Sequence, residues 1–119
     1  MRQPGTNSRG EPWTDEQIRA VWNRGVPCPG SNPDHFRKDS CGAWIHFGRY
    51  GEFMAGGCGW EIDHILPVAE GGTDNLENLQ PLQWQNNRSK GDDWPTWRCV
   101  IPVVDRISAS ARDLASQRP

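Results

Sequence analysis

The sequence predicts an α+β fold in one compact domain. The chain has 119 residues, of which 34% are hydrophobic and 24% are charged, and this length suits one ordinary domain but not two. A helix-capping pattern stands at residues 14–17, a strand-like alternation covers residues 59–65, and a glycine pair follows at Gly71 and Gly72. Together these patterns predict a helix, then a strand, a long loop, a second strand and a short helix.

The first twelve residues form a polar lead to the domain. They contain Pro4, Gly5, Gly10 and Pro12 and offer nothing to bury, so we expect residues 1–12 to be flexible. We place the folded domain at residues 13–102 and a tail at residues 103–119.

A helix is predicted over about residues 15–24. The Thr14 hydroxyl can accept from the Gln17 N–H while the Gln17 side chain returns to Thr14, which is a capping box. Gly25 is the expected stop. One apolar stripe at helical spacing should pack on the core, and it consists of Ile18, Val21 and Trp22.

The next segments give weaker signals. Residues 26–40 are interrupted by three prolines and Gly30, so we expect a wrapped loop without a regular element. Residues 41–53 mix strand and helix periodicity, and we expect one short strand or helical turn there.

The centre of the chain predicts a hairpin and a helix. Residues 59–65 are rich in β-forming residues and suit a first strand, while Gly71 and Gly72 mark a tight turn in a long loop. The second strand should cover residues 79–82, with Pro81 restricting it to an edge. A short helix should cover residues 84–90 and end at Gly91.

Two further segments complete the pattern. Trp94 and Trp97 anchor a predicted Trp-rich loop. The tail predicts an amphipathic C-terminal helix, either folded back or docked on a partner, from the spacing of Val104, Ile107, Ala111 and Leu114.

The charge and the termini restrict the class of protein. The formal net charge is −2, which argues against a strongly basic nucleic-acid binder, because phosphate contacts need Lys or Arg. The N-terminus lacks the apolar stretch of a signal peptide, and no later run approaches the length of a membrane span. We therefore expect a cytoplasmic protein.

The four cysteines are spaced without C-x-x-C pairs, and they are Cys28, Cys41, Cys58 and Cys99. In a cytosolic chain their even number does not imply disulfides. We expect reduced, partly buried thiols and no structural Zn²⁺, and a dispersed structural zinc site is the less favoured alternative.

One short window gathers residue types used in phosphodiester chemistry. The run Glu61-Ile62-Asp63-His64-Ile65-Leu66-Pro67 is followed by Gly71-Gly72-Thr73-Asp74, by Asn78-Leu79 and by Asn86-Asn87-Arg88-Ser89-Lys90. This pattern resembles the HNH endonuclease family, whose active site is the ββα-metal unit. The resemblance is strong over about residues 59–92 and implies a small, stand-alone nuclease of bacterial or phage type.

The resemblance implies a role for each matching residue. His64 would be the general base, and an imidazole suits that role because its ordinary pKa lies near neutrality. Asp63 and Asn87 would be the metal ligands, and their hard oxygen atoms favour Mg²⁺, or Mn²⁺ in its place. Adjacent strand residues face opposite sides, so Asp63 and His64 can converge only if the strand frays there.

The remaining matches would support the site. Asn78 holds the position that pins the loop backbone and so orients the base. Lys90 follows Asn87 by about one helical turn and so shares its face of the helix. Arg88 and Lys90 could both contact phosphates. A solvated surface position is the alternative for either. Glu61 lies on the same strand face as Asp63 and could be an outer carboxylate.

The chain departs from the commonest family pattern at one place. Paired cysteines often flank the second strand and the helix, and here Gln83 and Asn86 stand there. The junction of hairpin and helix therefore lacks a zinc clip.

We interpret the chain as a metal-dependent HNH endonuclease that cuts DNA and leaves, by the resemblance, a 3′-hydroxyl and a 5′-phosphate. Two alternatives stay open. The chain could be a nuclease subunit or nucleic-acid-binding module of a larger defence or packaging complex, with a protein partner. It could also act on RNA as a toxin.

Overall fold

The computed structural model describes residues 4–102. Its helices are α1 (Asp15–Trp22) and α2 (Trp84–Lys90), and its strands are β1 (Phe36–Lys38), β2 (Trp44–His46), β3 (Trp60–His64) and β4 (Leu79–Gln83). Short 3₁₀ turns cover Phe47–Arg49, Val68–Glu70 and Leu76–Asn78. The α+β fold class is confirmed. The tail predicted to be helical lies outside the described residues.

Two antiparallel hairpins form the sheets. β1 pairs with β2, and β3 pairs with β4 in a register that sets Asp63 opposite Gln80 and His64 opposite Leu79. Helix α2 begins directly after β4 and packs against both strands of that hairpin. This β3, β4, α2 unit is the predicted strand, loop, strand and helix, and α2 has the predicted bounds and cap at Gly91.

Helix α1 begins as its sequence predicts. The Thr14 hydroxyl accepts from the Gln17 N–H at 3.1 Å, and the Gln17 Oε1 accepts from the Thr14 N–H at 2.9 Å. The helix ends at Trp22, two residues before the expected end. Its apolar stripe joins one core cluster, whose buried members are Trp13, Val21, Trp22, Ile45, Trp60, Ile62 and Leu79.

Two expectations about the middle of the chain were wrong. The predicted loop at residues 26–40 contains strand β1, because three residues pair with β2 despite the nearby prolines. Residues 41–53 hold both a strand and a 3₁₀ turn, where we expected one or the other. Strands this short are defined by their partner and leave little periodicity in the sequence.

The N-terminal lead folds back on the domain. Thr6 and Pro12 form an antiparallel bridge, and the Asn7 side chain accepts from the N–H groups of Arg9 and Glu11 at 2.9 and 3.0 Å. Residues 6–12 therefore make a small closed turn, although their composition predicts a flexible segment.

A buried carboxylate, Asp39, joins the two hairpins. Asp39 accepts from the backbone N–H groups of Cys41, Ala43 and Gln83 at 2.8–2.9 Å and from the Asn86 Nδ2 at 3.1 Å. Asn86 in turn holds the backbone of residues 100 and 101 through its Oδ1. Hydrogen bonds among these residues thus connect the turn between β1 and β2, the junction of β4 with α2, and the backbone of residues 100 and 101.

The expectation of four reduced thiols was wrong. Cys41 and Cys99 form a disulfide across 58 residues of sequence, while Cys28 and Cys58 take no part in a disulfide. The pairing is a tertiary contact between the loop before β2 and the segment after α2, so spacing alone could not give it. Disulfides are rare in reducing compartments, so this bond weighs against the expected cytoplasmic location.

We predict that losing this disulfide destabilises the domain. Closing a loop of this length restricts the unfolded chain, and removing such a bond typically costs about 2–5 kcal/mol. The measurement is urea unfolding of the Cys41→Ser, Cys99→Ser double variant. Cys28→Ser is the control, since that thiol is already free, and an equal loss of stability in both proteins would contradict the prediction.

Candidate active site

A small cleft between β3, α2 and the N-terminal lead collects most of the predicted site residues. Its volume is about 60 Å³, several times the roughly 10–15 Å³ that one water needs. Asp63, His64, Asn87 and Arg88 line it, together with Pro4, Gly5 and Thr6 of the lead. The other two predicted residues, Asn78 and Lys90, contact segments beside it.

His64 is held at the end of β3. It is 8% exposed, and its ring centroid lies 5.5 Å from that of Trp13. The His64 Nε2 lies 2.8 Å from the Asp74 Oδ1. Desolvation alone would raise the pKa of Asp74, but hydrogen bonds from Ser8 and His64 outweigh it and hold this pKa below its ordinary value.

The strand does not fray at this point, although alternation along a strand made fraying the condition for Asp63 and His64 to converge. β3 stays paired with β4 along its whole length, including Asp63 and His64. Both residues still border the cleft, which residues of the lead and of α2 line as well. Convergence therefore does not require the strand to break.

Asp63 is buried and has two partners. It is 6% exposed; its Oδ2 accepts from the Gln80 Nε2 at 2.9 Å, and its Oδ1 lies 3.2 Å from the Lys90 Nζ. Desolvation raises the pKa of Asp63, and the bonds from Gln80 and Lys90 offset this only in part. A bound cation would stabilise the charged form.

Lys90 does not have the exposed position that a phosphate contact requires. It is 1% exposed, and its ammonium group also donates to the His64 carbonyl oxygen at 2.9 Å. Both the phosphate contact and the solvated alternative were therefore wrong for Lys90. Its positive charge balances the Asp63 carboxylate, and its contacts with Asp63 and His64 connect α2 to the end of β3.

Glu61 orients the predicted ligand Asn87. The Asn87 Nδ2 donates to the Glu61 Oε1 at 2.8 Å, and Arg88 pairs with the Glu61 Oε2 at 2.7 Å. Since the amide nitrogen is used in this way, the hydrogen-bond pattern assigns Oδ1 as the atom Asn87 offers to a ligand. The Arg88 side chain is 42% exposed, so it is within reach of a phosphate.

Asn78 closes the loop between β3 and β4. Its side chain accepts from the Leu66 N–H at 2.9 Å and donates to the carbonyl oxygens of Leu66 and Thr73 at 3.1 and 2.8 Å. A Cβ at Gly72 would collide with the Leu66 carbonyl oxygen, so the close approach requires glycine. Asp74, the partner of His64, lies in this closed loop directly after Thr73.

Comparison with known families decides the class of the domain. The HNH endonuclease family model matches residues 48–93. This segment is an HNH domain. Neither the curated proteins nor the solved structures contain a match. The matched segment includes β3, β4 and α2, so the HNH domain contains Asp63, His64, Asn78 and Asn87.

The HNH domain has a donor set that fits one divalent ion. Among residues 4–102, no three or more His, Cys, Asp or Glu side chains cluster as a metal site. Asp63 and Asn87 nevertheless offer hard oxygen atoms to the same cleft, and such ligands suit Mg²⁺ when waters and phosphate oxygens complete the shell.

Within the described part of the chain, no helix has both the length and the apolar character needed to cross a membrane.

Sequence reasoning missed two members of this HNH site. Asp74 belongs to the quoted motif but was given no role, although a carboxylate shortly after the glycine pair was a usable signal. Ser8, which binds Asp74, lies 66 residues away in sequence, and no local pattern marks it.

Proposed function

We propose that the HNH domain is a metal-dependent endonuclease that hydrolyses DNA phosphodiester bonds. The observation that carries the proposal is the convergence of Asp63, His64 and Asn87 on one cleft inside the family-matching segment. In this account His64 takes the proton from the attacking water, and proton transfer of this kind typically contributes about 10²–10⁴ in rate.

Asp63 and Asn87 would hold Mg²⁺ or Mn²⁺ through a carboxylate oxygen and the amide Oδ1. When bound, the ion supplies positive charge that stabilises the phosphoryl group and the departing oxygen. Asn78 keeps the loop closed beside His64, and Arg88 contacts a phosphate from the exposed rim. Lys90 keeps Asp63 in position through their buried ion pair.

We predict that Asn87→Ala weakens metal affinity and cleavage together, because it removes one ligand atom. Raised Mn²⁺ should restore part of the activity, since this ion binds the same oxygen donors more tightly than Mg²⁺. Calorimetric titration with Mn²⁺ measures the affinity. Asn75→Ala is the matched control, because its side chain makes no capping bond; unchanged affinity in Asn87→Ala would show that the ion binds elsewhere.

We predict that Arg88→Gln lowers the salt dependence of DNA binding. One lost phosphate contact should reduce the slope of log affinity against log salt by about 0.9. Glutamine keeps a donor for Glu61 while removing the charge. Arg112→Gln and Arg118→Gln, in the tail outside the described residues, should leave the slope unchanged, and the reverse ranking would make the tail the main nucleic-acid contact.

Substrate class is tested with supercoiled plasmid, single-stranded DNA and RNA, each incubated with Mg²⁺ and with EDTA. The proposal expects Mg²⁺-dependent DNA cleavage. Preferential cutting of RNA would instead support the toxin alternative.

One observation favours a second candidate, a subunit that acts with a partner. The chain has a net charge of −2, and both predicted phosphate contacts are paired with carboxylates, so the domain offers few cations to DNA. Sedimentation and DNA binding of the isolated chain separate the two, because a self-sufficient enzyme cuts alone. Cytoplasmic location stays a proposal, against which the disulfide weighs.

A further inference from the structure

His64 has a carboxylate partner that the N-terminal segment holds in place. The Asp74 Oδ1 lies 2.8 Å from the His64 Nε2, and Ser8 donates to the same carboxylate from its backbone N–H and its hydroxyl. Resting on the proposed function, we propose that Asp74 is the positioning residue for the base His64, and that Ser8 fixes Asp74 for this task.

The pairing decides which ring nitrogen can act as a base. An ionised carboxylate only accepts hydrogen bonds, so the His64 Nε2 must carry the proton that it shares with Asp74. In the neutral ring the lone pair then lies on Nδ1. Asp74 thereby selects the tautomer in which Nδ1 can take a proton from water.

Both oxygen atoms of the Asp74 carboxylate are restrained. Besides the imidazole, Oδ1 accepts from the Ser8 N–H at 3.0 Å, and Oδ2 accepts from the same N–H at 3.2 Å and from the Ser8 hydroxyl at 2.6 Å. Donors on both oxygen atoms oppose rotation of the carboxylate. A base whose partner cannot rotate keeps its own orientation.

Asp74 and Ser8 are each held in place by neighbouring structure. The Asn78 side chain binds the Thr73 carbonyl oxygen directly before Asp74, and the closed turn of residues 6–12 presents Ser8. Ser8 lies outside the HNH match at residues 48–93. The lead therefore completes the site of the family domain from elsewhere in the chain.

Cleavage kinetics test the role of the pair. We expect Asp74→Asn to lower kcat by about 10- to 100-fold, as is typical when the partner of a site residue is lost, with KM nearly unchanged. Ser8→Ala should lower kcat less, and Asp74→Glu should recover part of the loss by restoring a carboxylate. Asp34→Asn and Ser31→Ala, outside the cleft, are the matched controls.

A measurement without turnover separates this inference from the proposed function. Nitrogen-15 NMR of the His64 ring, at a pH where imidazoles are neutral, should show the Nε2–H tautomer in the full chain and a mixture in Asp74→Asn. The Nδ1–H tautomer in the unaltered protein overturns the inference even if the enzyme cuts DNA. If the protein cuts nothing but the expected tautomers are seen, the pairing stands and the nuclease proposal fails. Unchanged kcat in Asp74→Asn, beside an inactive His64→Ala, overturns the positioning role alone.

Discussion

His64→Ala is expected to reduce the rate of DNA cleavage by about 10²–10⁴. The substitution removes the group that we propose as the acceptor of the proton of the attacking water, while the proposed metal ligands Asp63 and Asn87 remain. Single-turnover nicking of supercoiled plasmid measures the rate. Calorimetry with Mn²⁺ should show nearly unchanged affinity, because His64 is not a proposed ligand.

The matched control for this variant is His35→Ala, which removes an imidazole outside the cleft and should cut like the unaltered protein. Circular dichroism must show that His64→Ala is folded, since its ring contacts Trp13. Rapid cutting by the folded His64→Ala protein would remove His64 from the chemistry.

Lys90→Ala is expected to destabilise the domain by about 3–5 kcal/mol, the usual effect of leaving one member of a buried ion pair without its partner. Asp63 is 6% exposed and Lys90 1%, so the carboxylate that remains is largely shielded from solvent and has no opposite charge beside it. The His64 carbonyl oxygen loses its donor as well. Urea unfolding followed by tryptophan fluorescence measures the loss.

Lys38→Ala is the control for this second variant. The Lys38 ammonium lies over the Trp44 ring at 5.1 Å, and such a contact contributes about 0.5–1 kcal/mol, so the loss should be much smaller. Asp63→Ala should destabilise the fold as Lys90→Ala does, and the double variant should lose less than the sum. Equal effects of Lys38→Ala and Lys90→Ala would contradict the buried pair.

Local sequence signals predicted the elements that are specified locally. The Thr14 capping box, the cap of α2 at Gly91 and the glycine pair before β4 each depend on residues a few positions apart. β1 was missed because its three residues gain their conformation from β2. The disulfide was missed because two distant segments must meet before Cys41 and Cys99 are neighbours, and the sequence gives no measure of that distance.

In the candidate site, too, local sequence patterns predicted some features, while contacts between distant residues were missed. Motif spacing nominated Asp63, His64 and Asn87, and all three line the cleft. It could not show what each polar group binds: Lys90 shares the helical face of Asn87, as predicted, but that face is buried against Asp63. The Ser8 and Asp74 contact crosses 66 residues, and a polar lead with four Gly and Pro residues gives no hint of it.

The most direct test of the account examines the ends that the protein makes. Supercoiled plasmid is incubated with the full chain in Mg²⁺, and the nicked product is treated with DNA ligase without end repair. Metal-dependent cleavage at this site predicts nicks that require Mg²⁺ and depend on His64. Ligase should reseal them, since the expected ends are a 3′-hydroxyl and a 5′-phosphate. Absence of nicking by folded protein in Mg²⁺ and Mn²⁺, or nicks equally frequent in EDTA, would contradict it.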